Sequence, residues 1–293
     1  MNCCTLATIA VNTRTTSHAP DKLTMEESVM DIDLSGKAAI VTGGSLGIGK
    51  AIALELAKSG VKVAIVARRK DVLEQAAGDI STETGNQVLG ISADVNDRES
   101  VATMVATAVR ELGSADILVN SAGFVGGMVK GEITEASEDD LTVDLSTKLF
   151  GAFRCAKAVA PHMKERGWGR IINIGGMSGR SSGNISGMRN AALAHFTKTL
   201  ADQLGQYGIN ANCIHPGQTI TERSEPMYVE QAEREGTTVG ALKEKISRGI
   251  GIRKIVTAQE LAYVAVFLAS PLSVSLNGEI ISAGGGAIGA YFP

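Results

Sequence analysis

The chain is poor in aromatic residues, and no tyrosine occurs before Tyr207. Its four cysteines (Cys3, Cys4, Cys155 and Cys213) lack the spacings of metal or redox motifs. Scattered free thiols fit a reducing cytoplasm, which is the expected location. The four histidines form no ligand motif such as HExxH, so the sequence predicts no catalytic metal.

Strong charge and long apolar runs are also missing. The formal net charge is −3, which gives no electrostatic reason to expect nucleic acid or an anionic membrane as partner. No apolar run reaches the ~18 residues that a membrane-spanning helix needs. Residues 1–33 are rich in threonine and serine near their start and lack a sustained period, so we expect a flexible tail. A transit peptide is the alternative, although Arg14 is the only arginine there.

From residue 34 to 293 the pattern is that of one domain in which short β-branched runs alternate with longer helical ones. This alternation predicts an α/β, Rossmann-type, doubly wound parallel sheet with helices on both faces. Strands are predicted at 37–42, 61–67, 87–91, 115–120, 169–174, 209–214 and 277–282. Helices are predicted at 47–59, 70–83, 97–112, 137–166, 186–207 and 257–269.

Residues 218–253 interrupt the alternation, because they are polar, partly helical and have no matching strand. Ligands bind beyond the carboxyl ends of the strands in open α/β sheets, and an insertion after strand 209–214 lies at that end. We therefore expect a mobile substrate lid over about 218–253. The alternative is a helical decoration that packs on a neighbouring subunit.

A glycine-rich turn follows the first strand and opens the first helix. Gly43, Gly47 and Gly49 allow a tight turn and a close approach of the backbone to a pyrophosphate, which the helix N-terminus then attracts. Arg68 and Arg69 follow the second strand, where NAD-binding proteins place an acidic residue for the ribose hydroxyls. An arginine there meets a 2′-phosphate instead, so NADP(H) is favoured and NAD(H) remains open.

These motifs together resemble those of the short-chain dehydrogenase/reductase family. The resemblance covers about residues 34–286 and rests on Thr42-Gly43-Gly44-Ser45-Leu46-Gly47-Ile48-Gly49, Ala93-Asp94-Val95, Asp116-Ile117-Leu118-Val119-Asn120-Ser121-Ala122-Gly123, Gly169-Arg170-Ile171-Ile172-Asn173-Ile174, Pro216-Gly217, and Gly278-Glu279-Ile280 with Gly284-Gly285. It implies a seven-stranded sheet, a small-molecule substrate and a homodimer or homotetramer built on the two long helices.

The resemblance also implies which residues hold the nicotinamide cofactor. The glycine turn (Gly43, Ser45, Leu46, Gly47, Ile48 and Gly49) and Arg68 would bind the phosphates. Asp94 and Val95 would contact adenine, and Asn120, Ala122 and Gly123 would line the cleft. Pro216, Gly217 and Thr221 would lie beside the nicotinamide.

The family's catalytic asparagine, serine, tyrosine and lysine are all replaced here. By local motif, Lys148 stands at the asparagine, Gly176 at the serine, Ser186 at the tyrosine and Asn190 at the lysine. A serine hydroxyl is much less acidic than a phenol and makes a poor proton donor without a base.

Four residues are candidates to replace the lost groups. With its ammonium group, Lys148 would donate a proton or stabilise negative charge. The alternative is that it binds a backbone carbonyl or a cofactor phosphate. His215 would act as a general acid near the nicotinamide; the alternative is that its ring points into the sheet or to a neighbouring loop. Arg189 holds a carboxylate or oxyanion, or else is a surface residue. Ser186, with Ser178, hydrogen-bonds substrate.

Two functional hypotheses remain open from the sequence. One is an NAD(P)(H)-dependent oxidoreductase with a rebuilt active site that acts on a small alcohol or ketone. The other is a relative without catalytic activity that binds or senses the cofactor. A variant of the first retains the cofactor for lyase or hydrolase chemistry.

Overall fold

The computed structural model describes residues 32–123, 129, 131–181 and 184–286. The predicted tail at 1–33 lies almost wholly outside these residues and stays a prediction. The main strands are β1 (Ala38–Thr42), β2 (Lys62–Ala67), β3 (Val88–Ser92), β4 (Ile117–Asn120), β5 (Gly169–Ile174), β6 (Ile209–Pro216) and β9 (Ile280–Ala283). They form one parallel sheet in the order β3-β2-β1-β4-β5-β6-β9. The predicted doubly wound fold is therefore confirmed.

Nine α-helices lie in the described part of the chain. They are α1 (Gly47–Lys58), α2 (Lys70–Thr84), α3 (Arg98–Leu112), α4 (Glu138–Leu145), α5 (Gly151–Arg166), α6 (Gly187–Leu204), α7 (Ser224–Arg234), α8 (Val239–Arg248) and α9 (Ala258–Ala269). None of these described helices combines the length and apolar character that crossing a bilayer requires.

The sheet has an apolar layer on each face. Val41 and Val119 pack into a core with side chains of α1 and α9, whereas Ile40 and Leu118 pack into a second core with α3 and α5. Successive residues of a strand point to opposite faces, so a strand covered on both sides can be apolar at consecutive positions. This explains the continuous apolar runs in the sequence.

The predicted helix 137–166 is divided into α4, a π-helical segment (Ser146–Phe150) and α5. The loop after β3 holds this segment through two side-chain hydrogen bonds. Ser146 Oγ donates to Asn96 Oδ1 at 2.8 Å, and Asn96 Nδ2 donates to Thr147 Oγ1 at 3.2 Å. A π-helical turn rotates the following side chains relative to a regular helix, and such turns often occur at functional sites.

Residues 218–253 differ from their prediction in one respect, because they contain a short strand. β7 (Thr219–Ile220) pairs in parallel with β8 (Val256–Thr257), outside the main sheet. The two helices of this region, α7 and α8, share an apolar cluster of their own, formed by Tyr228, Ala232, Leu242, Ile250 and Ile255. This cluster is separate from the two cores of the sheet.

We expect Gly49→Ala to destabilise the protein by about 1–3 kcal/mol. A Cβ at Gly49 would lie 2.3 Å from the carbonyl oxygen of Gly43, and this backbone atom cannot move without opening the turn. Chemical denaturation measures the effect. Gly78→Ala in α2 is the control, because a Cβ there meets no atom within 4 Å and should add about 0.5–1 kcal/mol of stability. Equal effects of the two substitutions would contradict this account.

Candidate active site

A cleft of about 1200 Å³ opens at the carboxyl ends of the strands, where the strand order reverses between β1 and β4. This is the position at which open parallel sheets bind ligands. No group of three or more His, Cys, Asp or Glu side chains in the described ranges could hold a metal ion.

Most of the residues predicted to hold the cofactor line this cleft. They are Gly43, Ser45, Leu46, Gly47, Ile48, Arg68, Asp94, Val95, Ala122, Gly123, Pro216, Gly217 and Thr221. Gly49 and Asn120 do not. Gly49 packs against the carbonyl group of Gly43, and Asn120 Nδ2 donates to Asn173 Oδ1 at 2.9 Å within the sheet.

The glycine turn presents backbone rather than side chains to the cleft. A Cβ at Gly43 would lie 2.8 Å from the carbonyl oxygen of Ser121, so only glycine allows this packing. Gly43 and Gly47 both have positive φ, at 66° and 59°. Helix α1 begins here without a side-chain cap from Leu46. A bare turn that leads into a helix N-terminus fits the pyrophosphate of a dinucleotide.

Positive charge lies at the end of β2, at the other end of the part of the cleft that fits a dinucleotide. This part is called the nucleotide half below. Arg68 and Arg69 follow β2 and line the cleft, and no carboxylate stands at this strand end. Asp94, the acidic residue of the described lining, accepts a hydrogen bond from the backbone N–H of Asn96 at 2.9 Å. The charges at the end of β2 therefore suit an additional phosphate on the adenosine ribose.

Lys148 lies in the π-helical segment, and its side chain lines the cleft. It has no hydrogen bond or ion pair with a described residue. Burial lowers the pKa of Lys148 to about 8, and the nearby Cys213 opposes this shift. An ammonium group in this position loses its proton within a pH range that is useful for catalysis.

His215 does not line the cleft. Its side chain is 1% exposed and lies beneath Gly175, where a Cβ would be 2.6 Å from Nε2. Burial, with the charges of Arg180 and Lys148, lowers its pKa to about 4. The ring is therefore neutral near pH 7 and is separated from the cleft by backbone. The geometry gives no support to the prediction that His215 is a general acid.

Ser186, at the tyrosine position, is also enclosed and does not line the cleft. Its hydroxyl accepts a hydrogen bond from the backbone N–H of Val129 at 2.8 Å and donates one to Asp144 Oδ2 at 2.9 Å. Arg189, which does line the cleft, forms an ion pair with the other oxygen of Asp144. Asp144 and Ser186 are both 0% exposed. The carboxylate that pairs with Arg189 thus belongs to the protein, and Ser186 anchors it.

Asn190 and Gly176, at the lysine and serine positions, fit each other. A Cβ at Gly176 would lie 2.9 Å from Asn190 Nδ2, so the missing side chain makes room for the amide. This amide donates to Ser178 Oγ at 2.9 Å, and its buried Oδ1 has no partner in the described chain. Ser178 and Asn190 both line the cleft.

The sequence reasoning missed two residues of this region. Asp144 is a buried carboxylate one turn before Lys148, and its bonding to Ser186 and Arg189 could not be read from local spacing. Arg180 lines the cleft and donates from Nη2 to the carbonyl oxygen of Ile280 at 2.6 Å. In the sequence, the signal that could have pointed to Arg180 was its position after β5.

Comparison with known proteins agrees with the geometry. Residues 43–287 match the family model described as enoyl-(acyl carrier protein) reductase. The short-chain reductase protein NovJ of Streptomyces niveus is 37% identical over 85% of this chain and 92% of its own length. Cyclohexanol dehydrogenase of a Rhodococcus species is 35% identical over 87% of this chain and 97% of its own.

A solved structure shows the same fold. L-Sorbose reductase from Gluconobacter frateurii, crystallised with NADPH and L-sorbose, superposes with a TM-score of 0.84 and 32% identity. The match covers 89% of this chain and 100% of that one. The chain belongs to the short-chain dehydrogenase/reductase family, as its motifs predict. It is thereby an oxidoreductase of a family that acts on alcohols and ketones through a nicotinamide cofactor.

We expect Ser186→Tyr to lower stability without creating strong reductase activity. A tyrosine has no room at a fully enclosed position, and the substitution breaks the bonds to Val129 and Asp144. Overpacking of this kind costs about 1–3 kcal/mol. Thermal unfolding and NADPH oxidation over a ketone panel measure both effects. Ser186→Ala separates the loss of the hydrogen bonds from the added volume. A stable Ser186→Tyr protein with a large gain in turnover would show that the tyrosine site is open.

Proposed function

We propose that the protein is an NADP(H)-dependent reductase of small carbonyl compounds in which Lys148 replaces tyrosine as the proton donor. One observation carries the proposal. Lys148 lines the same cleft as Pro216 and Gly217, which mark the expected nicotinamide position, and it forms no hydrogen bond or ion pair with a described residue. When bound, NADPH supplies the hydride that reduces the carbonyl carbon.

The residues around Lys148 support its role as the titrating group. Burial raises the pKa of the Cys213 thiol to about 12, and the pKa of His215 is lowered to about 4. Both side chains are therefore uncharged between pH 5 and 10. Lys148 is then the group that changes charge near pH 8 at this end of the cleft.

In the proposed reaction, Lys148 Nζ donates a proton to the substrate oxygen as the carbonyl carbon is reduced. The neutral amine then regains a proton from solvent. Ser178 Oγ and the free Oδ1 of Asn190 orient the substrate or the cofactor ribose by hydrogen bonding. Arg189 stabilises negative charge that develops in the cleft, while Asp144 fixes its position.

The segment 218–253 is the proposed lid, and the long helices are the proposed subunit contact. Thr221, Arg223 and Met227 of the segment line the cleft, which supports a role in covering the substrate. Phe153 of α5 and Met188 of α6 are exposed by 46% and 52%, respectively. These apolar side chains support a homodimer or homotetramer, since exposed apolar patches often mark subunit interfaces.

The Asp144–Ser186–Arg189 arrangement favours one other candidate, a cofactor-binding protein without turnover. In that case the buried ion pair is a purely structural replacement for the tyrosine. Stopped-flow measurement of a single turnover distinguishes the two functions. Tight NADPH binding with no oxidation of NADPH by any carbonyl in a broad panel would favour the sensor.

We expect Lys148→Met to lower kcat for reduction by about 10²–10⁴-fold, with a smaller change in KM. A donor with a pKa of about 8 is protonated below this pH, so reduction in the wild type should be level there and decline as pH rises. The Met variant should lose this decline. Initial rates of NADPH oxidation between pH 6 and 10 test this, and Lys157→Met on the exposed face of α5 is the control. A decline near pH 8 that persists in Lys148→Met would exclude Lys148 as its source.

Arg68→Asp should shift the preference from NADPH towards NADH. The substitution removes a cation that suits a 2′-phosphate and adds a carboxylate that suits ribose hydroxyls, so the ratio of the two Kd values should change by about 10–100-fold. Fluorescence titration with each cofactor measures this ratio. Lys70→Asp is the control, because Lys70 lies at the same helix start but pairs with Glu74 and does not line the cleft. An unchanged ratio in Arg68→Asp would rule out Arg68 as the selector.

A further inference from the structure

A carboxylate of the chain itself binds at the centre of the glycine turn. Glu222 lies between β7 and α7, and its Oε2 accepts a hydrogen bond from the backbone N–H of Gly47 at 3.0 Å. Gly47 is the first residue of α1 and lines the cleft. The two residues are 175 positions apart in the sequence, so the contact joins the region of the proposed lid to the phosphate-binding turn.

The contact has the chemistry of phosphate binding. The N-terminus of a helix carries a partial positive charge, and its first N–H groups have no partner within the helix. Leu46 supplies no side-chain cap to α1, so the carboxylate of Glu222 fills that role. A carboxylate and a phosphate are both anionic acceptors. They repel each other and compete for the same donor.

We propose that the Glu222 carboxylate occupies the position of a cofactor phosphate in the cofactor-free protein. Its contact with Gly47, called the latch below, holds α7 and α8 to the glycine turn. The carboxylate must leave when the cofactor binds. The competition with phosphate rests on the proposed cofactor function, whereas the latch concerns the cofactor-free protein alone. The arrangement couples occupation of the nucleotide half of the cleft to release of the segment that covers its substrate half.

Local hydrogen bonds hold Glu222 at the start of α7. The backbone N–H of Thr221 donates to Ser224 Oγ at 2.8 Å, and the backbone N–H of Ser224 donates to Thr221 Oγ1 at 3.2 Å. Glu222 is thus carried on a reciprocally bonded turn rather than on a loose loop. A movement of this turn is transmitted directly to α7.

The two lid helices are joined strongly enough to move together. Lys243 of α8 pairs with Glu225 of α7 at 2.7 Å, next to the apolar cluster of Tyr228, Leu242 and Ile255. Because this cluster is separate from the cores of the sheet, the helices can shift without exposing either core. Release of the contact at Glu222 therefore loosens a preassembled unit at its end near the glycine turn, while the pairing of β7 with β8 and the backbone bonds of Gly251 and Ile252 remain.

Glu222→Gln tests the competition, because it removes the charge and retains a hydrogen-bond acceptor. Fluorescence titration of the full chain with NADPH should give a Kd about three- to tenfold lower than in the wild type, in line with the strength of charges at helix termini. Glu230→Gln makes the same charge change on the exposed side of α7 and should leave Kd unchanged. An equal or weaker affinity in Glu222→Gln would overturn the competition.

Hydrogen exchange of the cofactor-free protein tests the latch by itself. Amides of α7 and α8 should exchange faster in Glu222→Gln than in the wild type or in Glu230→Gln, while β1 and β4 remain unchanged. Equal exchange in all three proteins would overturn the latch. If neither the wild type nor the variant bound NADPH, the proposed cofactor would be refuted, and the exchange rates would still decide whether Glu222 holds the lid helices.

Discussion

Gly43 and Gly49 bring backbone segments closer together than any side chain permits, and the nucleotide half of the cleft depends on this approach. Gly43 packs on the loop after β4, while Gly49 packs on the carbonyl of Gly43. The first turn of α1 is thereby aimed into the crevice where the strand order reverses. The position of the crevice follows from topology, but its ability to receive phosphate follows from the missing Cβ atoms.

The part of the cleft lined by Lys148 and Arg189 depends on buried charge rather than on close backbone packing. Asp144 and Arg189 form a buried ion pair held by Ser186, and such a pair stabilises a site only when its remaining hydrogen-bonding groups are satisfied. Lys148 has no such compensation, and burial lowers its pKa accordingly. Arg189 is thus a cation fixed in place by its carboxylate, whereas Lys148 is a buried cation without an ion-pair partner among the described residues.

Much of the fold was readable from the sequence, because parallel strands covered on both faces leave continuous apolar runs such as Ile117–Val119. The glycine turn and Arg68 were readable because they depend on local order along the chain. The π-helical break at Ser146–Phe150 was not, since it arises from bonds to Asn96 in a distant loop. The enclosure of Ser186 and His215 was equally hidden, because burial depends on which elements pack together.

The separate apolar cluster of α7 and α8 has a consequence for how this protein can diversify. Those helices are supported by one another, by the separate pairing of β7 with β8, and by backbone hydrogen bonds from Gly251 and Ile252 to the residues that follow β9. Changes in their sequence therefore need not be matched by compensating changes in the sheet. As the proposed lid, the segment is an independently variable unit, whose sequence can change what the cleft accepts while the sheet and the glycine turn stay the same.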